Sequence, residues 1–397
     1  MERIIFHIDV NNAFLSWTAV ELLEHGYKED IRNIASVISY KDNRNKIILA
    51  KSPVAKKMGI ASAEPLFMAR KKCPNLQVFE PNYKMFSKRS RELFKYLYSI
   101  SPDIEVASID ECYMDYGKVK KLYGNEVEFA HKLKDEIYKK LGFTVNIGIA
   151  NNKLCAKMAS DFEKPNKVHT LYDYEIESKM YPLPIEDLFM VGKSTSSKLR
   201  ELGINTISDL AKYDANILKR IFKNQAKDLI LRAQGIDDSP VNTETWIPKG
   251  ISNEITFEED INTLEKLDEK LFFLANYTSE RLRKEKKYAY VVSVILKDNF
   301  FKRYNHQKKL KNPINTTDEI YEVSKILLRQ MYKGEYIRLI GIRLDDLTEK
   351  SSYQTSLFED GNNKEKNEKF DKVVDQINKK YNKKIITRAS YIDLKNR

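Results

Sequence analysis

Ile4-Ile5-Phe6-His7-Ile8-Asp9-Val10-Asn11-Asn12-Ala13-Phe14 lies near the start of the chain, and its alternation decides how the rest is read. Ile4, Phe6 and Ile8 fall on one side, His7 and Asp9 on the other, the period-two pattern of a strand with one buried face. Asp9 therefore leaves the strand end on the opposite, open face. A second stretch, Ala107-Ser108-Ile109-Asp110-Glu111-Cys112-Tyr113, repeats the pattern, with Ala107 and Ile109 alternating against Ser108 and Asp110. Neighbouring residues on a regular strand point opposite ways, so Asp110 and Glu111 converge only at a hairpin tip. The run Cys112 to Tyr116 reads as the returning strand. Paired carboxylates repel, and a divalent cation is the commonest reason to keep them together. Three of them suit Mg²⁺, which takes hard oxygen ligands and shares them with substrate phosphates.

At 397 residues the chain is long for one core, so two to four domains are expected. Apolar content of 42% supports packed cores, while 32% charge and a mean hydropathy of −0.54 imply solubility. No stretch approaches the ~20 apolar residues of a membrane span, and the N-terminus begins a strand rather than a signal peptide. Cys73, Cys112 and Cys155 are far apart and odd in number, as for reduced thiols in a cytoplasmic protein. The net charge of +12 favours a polyanionic partner. Between Arg281 and Lys311 eleven Lys or Arg stand against two acids, a local net of +9. Most of the excess sits in one segment.

The words His-Ile-Asp-Val-Asn-Asn-Ala-Phe (7–14) and Ser-Ile-Asp-Glu-Cys (108–112) resemble the two catalytic motifs of the Y-family translesion DNA polymerases, the DinB/UmuC group. A third stretch, Gly148 to Asn166, resembles that family's helix ending in Lys-Pro-Asn. The resemblance implies that Asp9, the Val10 carbonyl, Asp110 and Glu111 hold two Mg²⁺ ions. It makes Phe14 the steric gate against a ribose 2′-hydroxyl and Lys164 a β- or γ-phosphate contact. Lys153 and Lys157 read as surface charges on the same helix. Many members carry Asp where this chain has Asn11 and an aromatic where it has Ala13, but neither is a metal ligand in the family picture.

An α+β multidomain architecture follows. Ala13 to Glu24 reads as a helix that Asn11 or Asn12 caps. Residues 26–74 resemble a fingers lobe, inserted into a palm of residues 1–25 and 75–166. In the fingers, Pro53 and Lys56 stand where the family usually has Tyr and Arg; Lys56 keeps a charge for the triphosphate without the bidentate fork. With the insertion removed the palm runs β-α-β-β-α-β, the ferredoxin-like order, its two helices covering one face and leaving the acid-bearing face open. Nucleotidyl cyclases share that palm, so topology alone does not choose between them.

Residues 167–235 read as a thumb. Leu188 to Ile204 has helix-hairpin-helix spacing, and a tight glycine turn at Gly192, Lys193 and Ser194 would offer backbone N–H groups to a DNA phosphate. A linker, 236–249, leads to a little finger over 250–347. Its strands are expected at 288–296, 300–304 and 336–344, and its helices at 264–285 and 318–331. The +9 segment falls there, so Arg281, Arg283, Lys302 and Arg303 are the expected DNA backbone contacts. The tail, 348–397, contains Gln354-Thr355-Ser356-Leu357-Phe358, which resembles the bacterial sliding-clamp peptide: Gln354 as polar anchor, Leu357 and Phe358 as plugs. Helical spacing at Val373, Val374 and Ile377 has no functional reading.

The expected function is template-directed translesion DNA synthesis, error-prone and without proofreading, by a monomer. Its partners are primer-template DNA, a deoxynucleotide and the sliding clamp, with no membrane. The alternatives are a palm-fold nucleotidyl cyclase and an inactive DNA-binding repair scaffold.

Overall fold

A computed structural model describes residues 3–40, 46–244, 248–349, 361–381 and 386. The chain divides into two compact units, Met1–Thr245 and Trp246–Arg397. The first opens with β1 (Ile5–Val10) and α1 (Ala13–Glu24). A small lobe follows: β2 (Ser36–Ile38), β3 (Ala50–Lys51), α2 (Pro53–Lys57), α3 (Leu66–Lys72) and β4 (Gln77–Phe79), whose strands form one sheet in the order β3-β2-β4. Because β4 belongs to this sheet, the lobe runs a few residues past position 74. The chain returns through α4 (Tyr83–Tyr98), β5 (Ile104–Val106), β6 (Glu111–Asp115), α5 (Lys120–Tyr123), α6 (Glu126–Leu141), β7 (Val145–Ala150), α7 (Lys153–Asp161) and β8 (Val168–Thr170).

These strands form a five-stranded sheet, β5-β6-β1-β7-β8. With the small lobe set aside, β1, β5, β6 and β7 and the helices between them have the ferredoxin-like arrangement, and β8 adds a parallel edge. Ile4, Phe6, Ile8 and Val10 pack with Met114, Ile147 and Ile149 beneath Trp17, Phe86, Leu93, Leu133 and Ile137 of α1, α4 and α6. Arg89 of α4 joins α1 to α4: its guanidinium, 6% exposed, pairs with Glu21 at 2.7 Å and also with Glu24 and Glu92. Asn82 caps α4 by accepting from Met85 N at 3.0 Å. The cap expected on α1 is different. Asn12 occupies the N-cap position at φ 50° without a side-chain cap, and its amide N–H donates to Lys51 O at 2.8 Å and ties α1 to β3.

The second face of the sheet is not left uncovered. α7 lies across its β1–β7 half, burying His7 and Asn146 completely. Gly148 permits this, since its missing Cβ is where the α7 backbone passes. Residues 107–110 also differ from expectation. They form the turn of the β5–β6 hairpin rather than a strand, with Ala107 N and Ser108 N both donating to Glu111 O.

Beyond β8 the first unit continues with α8 (Lys193–Glu201), α9 (Ile207–Ala211), α10 (Ala215–Phe222) and α11 (Gln225–Ala233). The helix-hairpin-helix expected over Leu188 to Ile204 begins not with a helix but with a bend and turn at 188–190, preceded by a single 3₁₀ turn, Ile185–Asp187. The positive φ in the following turn belongs to Met190, at 73°, and Gly192 has an ordinary extended backbone with open space where a Cβ would stand.

The second unit consists of β9 (Gly250–Ile261), α12 (Leu264–Lys284), β10 (Tyr288–Asp298), β11 (Arg303–Ile314), α13 (Thr317–Met331), β12 (Ile337–Thr348) and α14 (Gly361–Lys380). Its antiparallel sheet has the order β11-β10-β12-β9. Leu267, Leu271, Leu274 and Leu282 of α12 and Ile320, Leu327 and Leu328 of α13 supply its core. The strand expected over 300–304 begins three residues later. Asp298 accepts from Phe300 N and Lys302 N, each at 2.9 Å, and shapes residues 299–302 into a turn. No helix among the described residues is long and apolar enough to cross a membrane.

Candidate active site

Asp9 and Glu111 face each other as paired residues of β1 and β6. Val10 N donates to Asp110 O at 3.0 Å, which brings the hairpin turn against the end of β1. The three acids therefore meet where two strands and one turn converge. Asp110 accepts from Ser108 Oγ at 2.6 Å.

Two lysines from α7 and the loop after it sit on these acids. Lys157 Nζ lies 3.0 Å from Glu111 Oε2, 3.5 Å from Asp9 Oδ2 and 3.4 Å from Asp161 Oδ2. Lys164 Nζ pairs with the same Asp9 oxygen and lies 2.7 Å from Asp161 Oδ1. Lys157 is thus no surface charge: its side chain is 13% exposed. Lys153 is likewise engaged, with Glu105 at 2.8 Å. Asn11 and Asn146 hold the Lys164 loop in place. Asn11 donates to Asn146 Oδ1 at 3.0 Å and accepts from Asn166 N at 2.8 Å, while Asn146 donates to Glu163 O at 2.6 Å and accepts from Lys167 N at 3.1 Å.

The electrostatics follow from this crowding. Burial raises the Asp110 carboxyl above the ordinary range, and the Asp9 and Glu111 charges push it further against the lowering pull of Ser108. Glu111 moves the other way, to about 2, because the His7 imidazole and the Lys157 ammonium lie beside it. Burial opposes charge on Lys157 and Lys164, but the acids outweigh it and raise both. Among the described residues no group of three His, Cys, Asp or Glu side chains closes on one point as a metal centre. Instead, two of the acids share the Lys157 ammonium, so hard-oxygen donors already face a common cation.

Phe14, on the first turn of α1, is half-buried and stacks on Phe86 with ring centroids 4.4 Å apart. Tyr83 meets its ring edge-on at 6.2 Å. Lys56 is exposed on α2, five residues beyond the Asn12 contact at Lys51. Lys193 and Ser194 begin α8, where Ser194, Lys198, Lys223 and Asn224 border an open hollow of about 450 Å³.

The second unit corrects part of the expected DNA surface. Arg283 is half-buried, its side chain 8% exposed, and is held by Asp371 at 3.1 Å and Asp375 at 2.7 Å of α14, so its fork is committed within the protein. Arg303 pairs with Glu254, and Arg281 is exposed while bonding Asn253 Oδ1 at 2.7 Å. Lys302 lies over the Tyr304 ring. Strand β11 exposes His306, Lys308, Lys309 and Lys311. Gln354, Leu357 and Phe358 lie outside the described residues.

The structure brings together the acids and Lys164 that the motifs singled out. His7 and Lys157 were missed, although one signal was present. Gly148 on a strand, followed by Ala156 and Ser160 four apart, is the mark of a helix packed tightly on a sheet.

The chain matches the model of the impB/mucB/samB family over residues 8–161 and that of the impB/mucB/samB family C-terminal domain over 248–357. It is 45% identical to a DNA polymerase IV of Clostridium acetobutylicum over 395 residues, covering 99% of each chain. It is 32% identical to a DNA polymerase IV of Acetivibrio thermocellus, covering 96% of this chain and 95% of the relative. Among solved structures, a Y-family DNA polymerase chimera superimposes with a TM-score of 0.76 at 26% identity, covering 87% of this chain and 99% of the other. An insertion ternary complex of Dbh DNA polymerase does so with a TM-score of 0.59 at 25% identity, covering 86% and 98%.

Proposed function

The chain belongs to the impB/mucB/samB family, the Y-family translesion DNA polymerases, and from that membership we propose that its nucleotidyl transfer takes place at Asp9, Asp110 and Glu111. The observation that carries this reading is the convergence of the three acids at the β1–β6 pairing and its hairpin turn. The alternatives of a cyclase or an inactive scaffold are not favoured by this family membership. The substrates are a primer-template and a deoxynucleotide.

Asp9, Asp110, Glu111 and the Val10 carbonyl would form the donor set for two Mg²⁺ ions, and of these hard oxygens those of Asp9 and Glu111 already share the Lys157 ammonium. Bound there, Mg²⁺ would supply stabilisation for the charge on the attacking and leaving oxygens. The protein supplies the alignment. Lys164 meets the β- or γ-phosphate from a loop that Asn11 and Asn146 hold rigid. Lys157 exchanges carboxylate for phosphate partners at the same place. Lys56 adds charge on the small lobe. Phe14, backed by Phe86, fills the space that a ribose 2′-hydroxyl would need.

In domain terms, the five-stranded sheet is the palm, the small lobe the fingers, the helices α8–α11 the thumb and the second unit the little finger. Backbone N–H groups near Lys193 and the exposed cations of β11 grip the duplex without reading bases. Residues 354–358 are the peptide for a sliding clamp, and loss of clamp stimulation on deleting them tests that role. Primer extension with Mg²⁺ tests the assignment of the site. Asp110→Ala should abolish extension and leave primer-template affinity within about twofold, and extension at wild-type rate refutes it.

A further inference from the structure

The open face of the second unit's sheet carries an ion pair that spans it from edge to edge. α12 and α13 pack on the side that bears Val292, Val294, Ile340 and Ile342, so the alternate residues of each strand face away from the helices. The register puts Glu254 of β9, Gly341 of β12, Ile295 of β10 and Asn305 of β11 in one row on that outer face. Arg303 stands two residues from Asn305 on the same face, and β9 and β11 are the two edges of the sheet. Three strand spacings, ~14 Å, separate them. The Arg303 guanidinium and the Glu254 carboxylate nevertheless pair, Nη2 to Oε1.

Gly341 makes that reach possible. A Cβ there would lie 2.7 Å from Glu254 Cγ, so the acid lies across the place where any other residue would put its side chain. Two other cations of this face draw on nearer acids, Arg343 on Asp345 of its own strand at 2.7 Å and Lys309 on Asp346 at 3.0 Å. The Arg303 and Glu254 side chains are 52% and 28% exposed, and a solvated pair of this kind adds little to stability. Its main effect therefore falls on what else can bind Arg303.

Resting on the reading of β11 as part of the surface that grips the duplex, we propose that Glu254 competes with DNA phosphates for Arg303 and so limits how tightly the second unit holds DNA. To meet a phosphate, the guanidinium has to leave Glu254, whose charge then faces the DNA backbone uncompensated. Each phosphate that a protein cation neutralises releases counterions and steepens the dependence of affinity on salt. A cation held by an internal acid drops out of that count. The basic segment thus binds less tightly, and with less sensitivity to salt, than its charge implies. A looser electrostatic hold lets the protein slide along the duplex after each addition.

Primer-template binding to the full chain, followed by fluorescence anisotropy over a range of salt concentrations, tests this. Lys308→Ala checks the underlying reading: a slope of log affinity against log salt shallower by about 1 puts β11 on the DNA, and an unchanged slope sinks that reading and this proposal with it. Given the shallower slope, Glu254→Gln should bind up to roughly fivefold more tightly at low salt and steepen the slope by about 1. Arg303→Ala should leave the slope unchanged in the wild-type chain and lower it by about 1 in the Glu254→Gln background. Glu259→Gln, which removes an exposed acid elsewhere on β9, should not steepen it. A mere brace between the edge strands would show as a lower melting temperature in Glu254→Gln with the wild-type slope, and that result overturns the proposal. So does a shallower slope on Arg303→Ala alone, or equal steepening in Glu259→Gln.

Discussion

Gly148 and Ser160 meet backbone to backbone: a Cβ placed on Gly148 would lie 2.4 Å from Ser160 N, and also 2.0 Å from Ala156 O. Helix backbone cannot yield as a flexible side chain does, so Gly148→Ala has to lift α7 from the sheet. The expected cost is about 3 kcal/mol, at the upper end for overpacking. Lys157 and Lys164 move with the helix, so extension should fall at least roughly tenfold, as positioning losses do. Thermal unfolding and primer extension check both, and a variant that melts and extends like wild type contradicts the close approach.

Two neighbouring acids should respond to pH with opposite sign. Glu111 has its folded value near 2 against an ordinary 4.5, so the stability it contributes is full above the ordinary value and lost as pH falls from about 4.5 to about 2. With partial solvent screening this amounts to roughly 2 kcal/mol. Asp110 is raised, so ionising it destabilises the fold as pH climbs through the ordinary carboxyl range and above. In chelator, Glu111→Gln should flatten the acid limb of a stability–pH curve, while Asp110→Asn should raise the melting temperature at neutral pH. Shifts of the reverse sign would show that the two environments are misassigned.

Phe14→Ala should admit ribonucleotides and, separately, weaken the fold. Its stack on Phe86 is half-buried, so removing the ring should cost about 2 kcal/mol, below the figure for a fully buried phenylalanine. Single-nucleotide insertion with deoxy and ribo substrates reads the gate. An unchanged preference between the two removes that role, whatever happens to stability.

Arg283 and Lys308 should behave differently although both lie in the basic segment. Asp371→Ala removes the more buried of the two Arg283 partners and the acceptor of Thr317 N while Asp375 stays, and should destabilise the second unit by about 2 kcal/mol. It should leave the salt dependence of DNA binding unchanged. Lys308→Ala, on exposed β11, should do the reverse, lowering the slope of log affinity against log salt by about 1. Equal slopes for Lys308→Ala and wild type would exclude β11 from the DNA surface.

Local rules carried the sequence reading a long way. Apolar spacing located α1, α12 and α13 to within a residue or two, and the paired acids announced a hairpin tip at Asp110 and Glu111, where the turn in fact occupies 107–110. The reading failed where a decision depends on residues distant in the chain. Lys157 looks solvated on α7 until Gly148, nine residues earlier, lays that helix over the acids. Arg283 looks like a phosphate contact until Asp371 and Asp375, about ninety residues later, claim it. The turn at 299–302 carries no glycine or proline; Phe301 takes φ 66° there because Asp298 binds the turn's N–H groups, so period-two reading began the next strand three residues early, at 300. Asn12 does stand at the helix start, but its backbone is left-handed there, at φ 50°, and its side chain turns to Lys51 O instead of the first-turn N–H groups.

The α14 docking bears on how the chain behaves once broken. Asp371 takes both the Arg283 guanidinium and, at 2.9 Å, the first N–H of α13, so the last helix is fastened by side chains as well as by the peptide that leads to it. A protease nick between positions 349 and 361 would cut the covalent thread and leave these bonds in place. The severed helix would travel with its parent through a sizing column, a silent scission that denaturing electrophoresis alone would reveal.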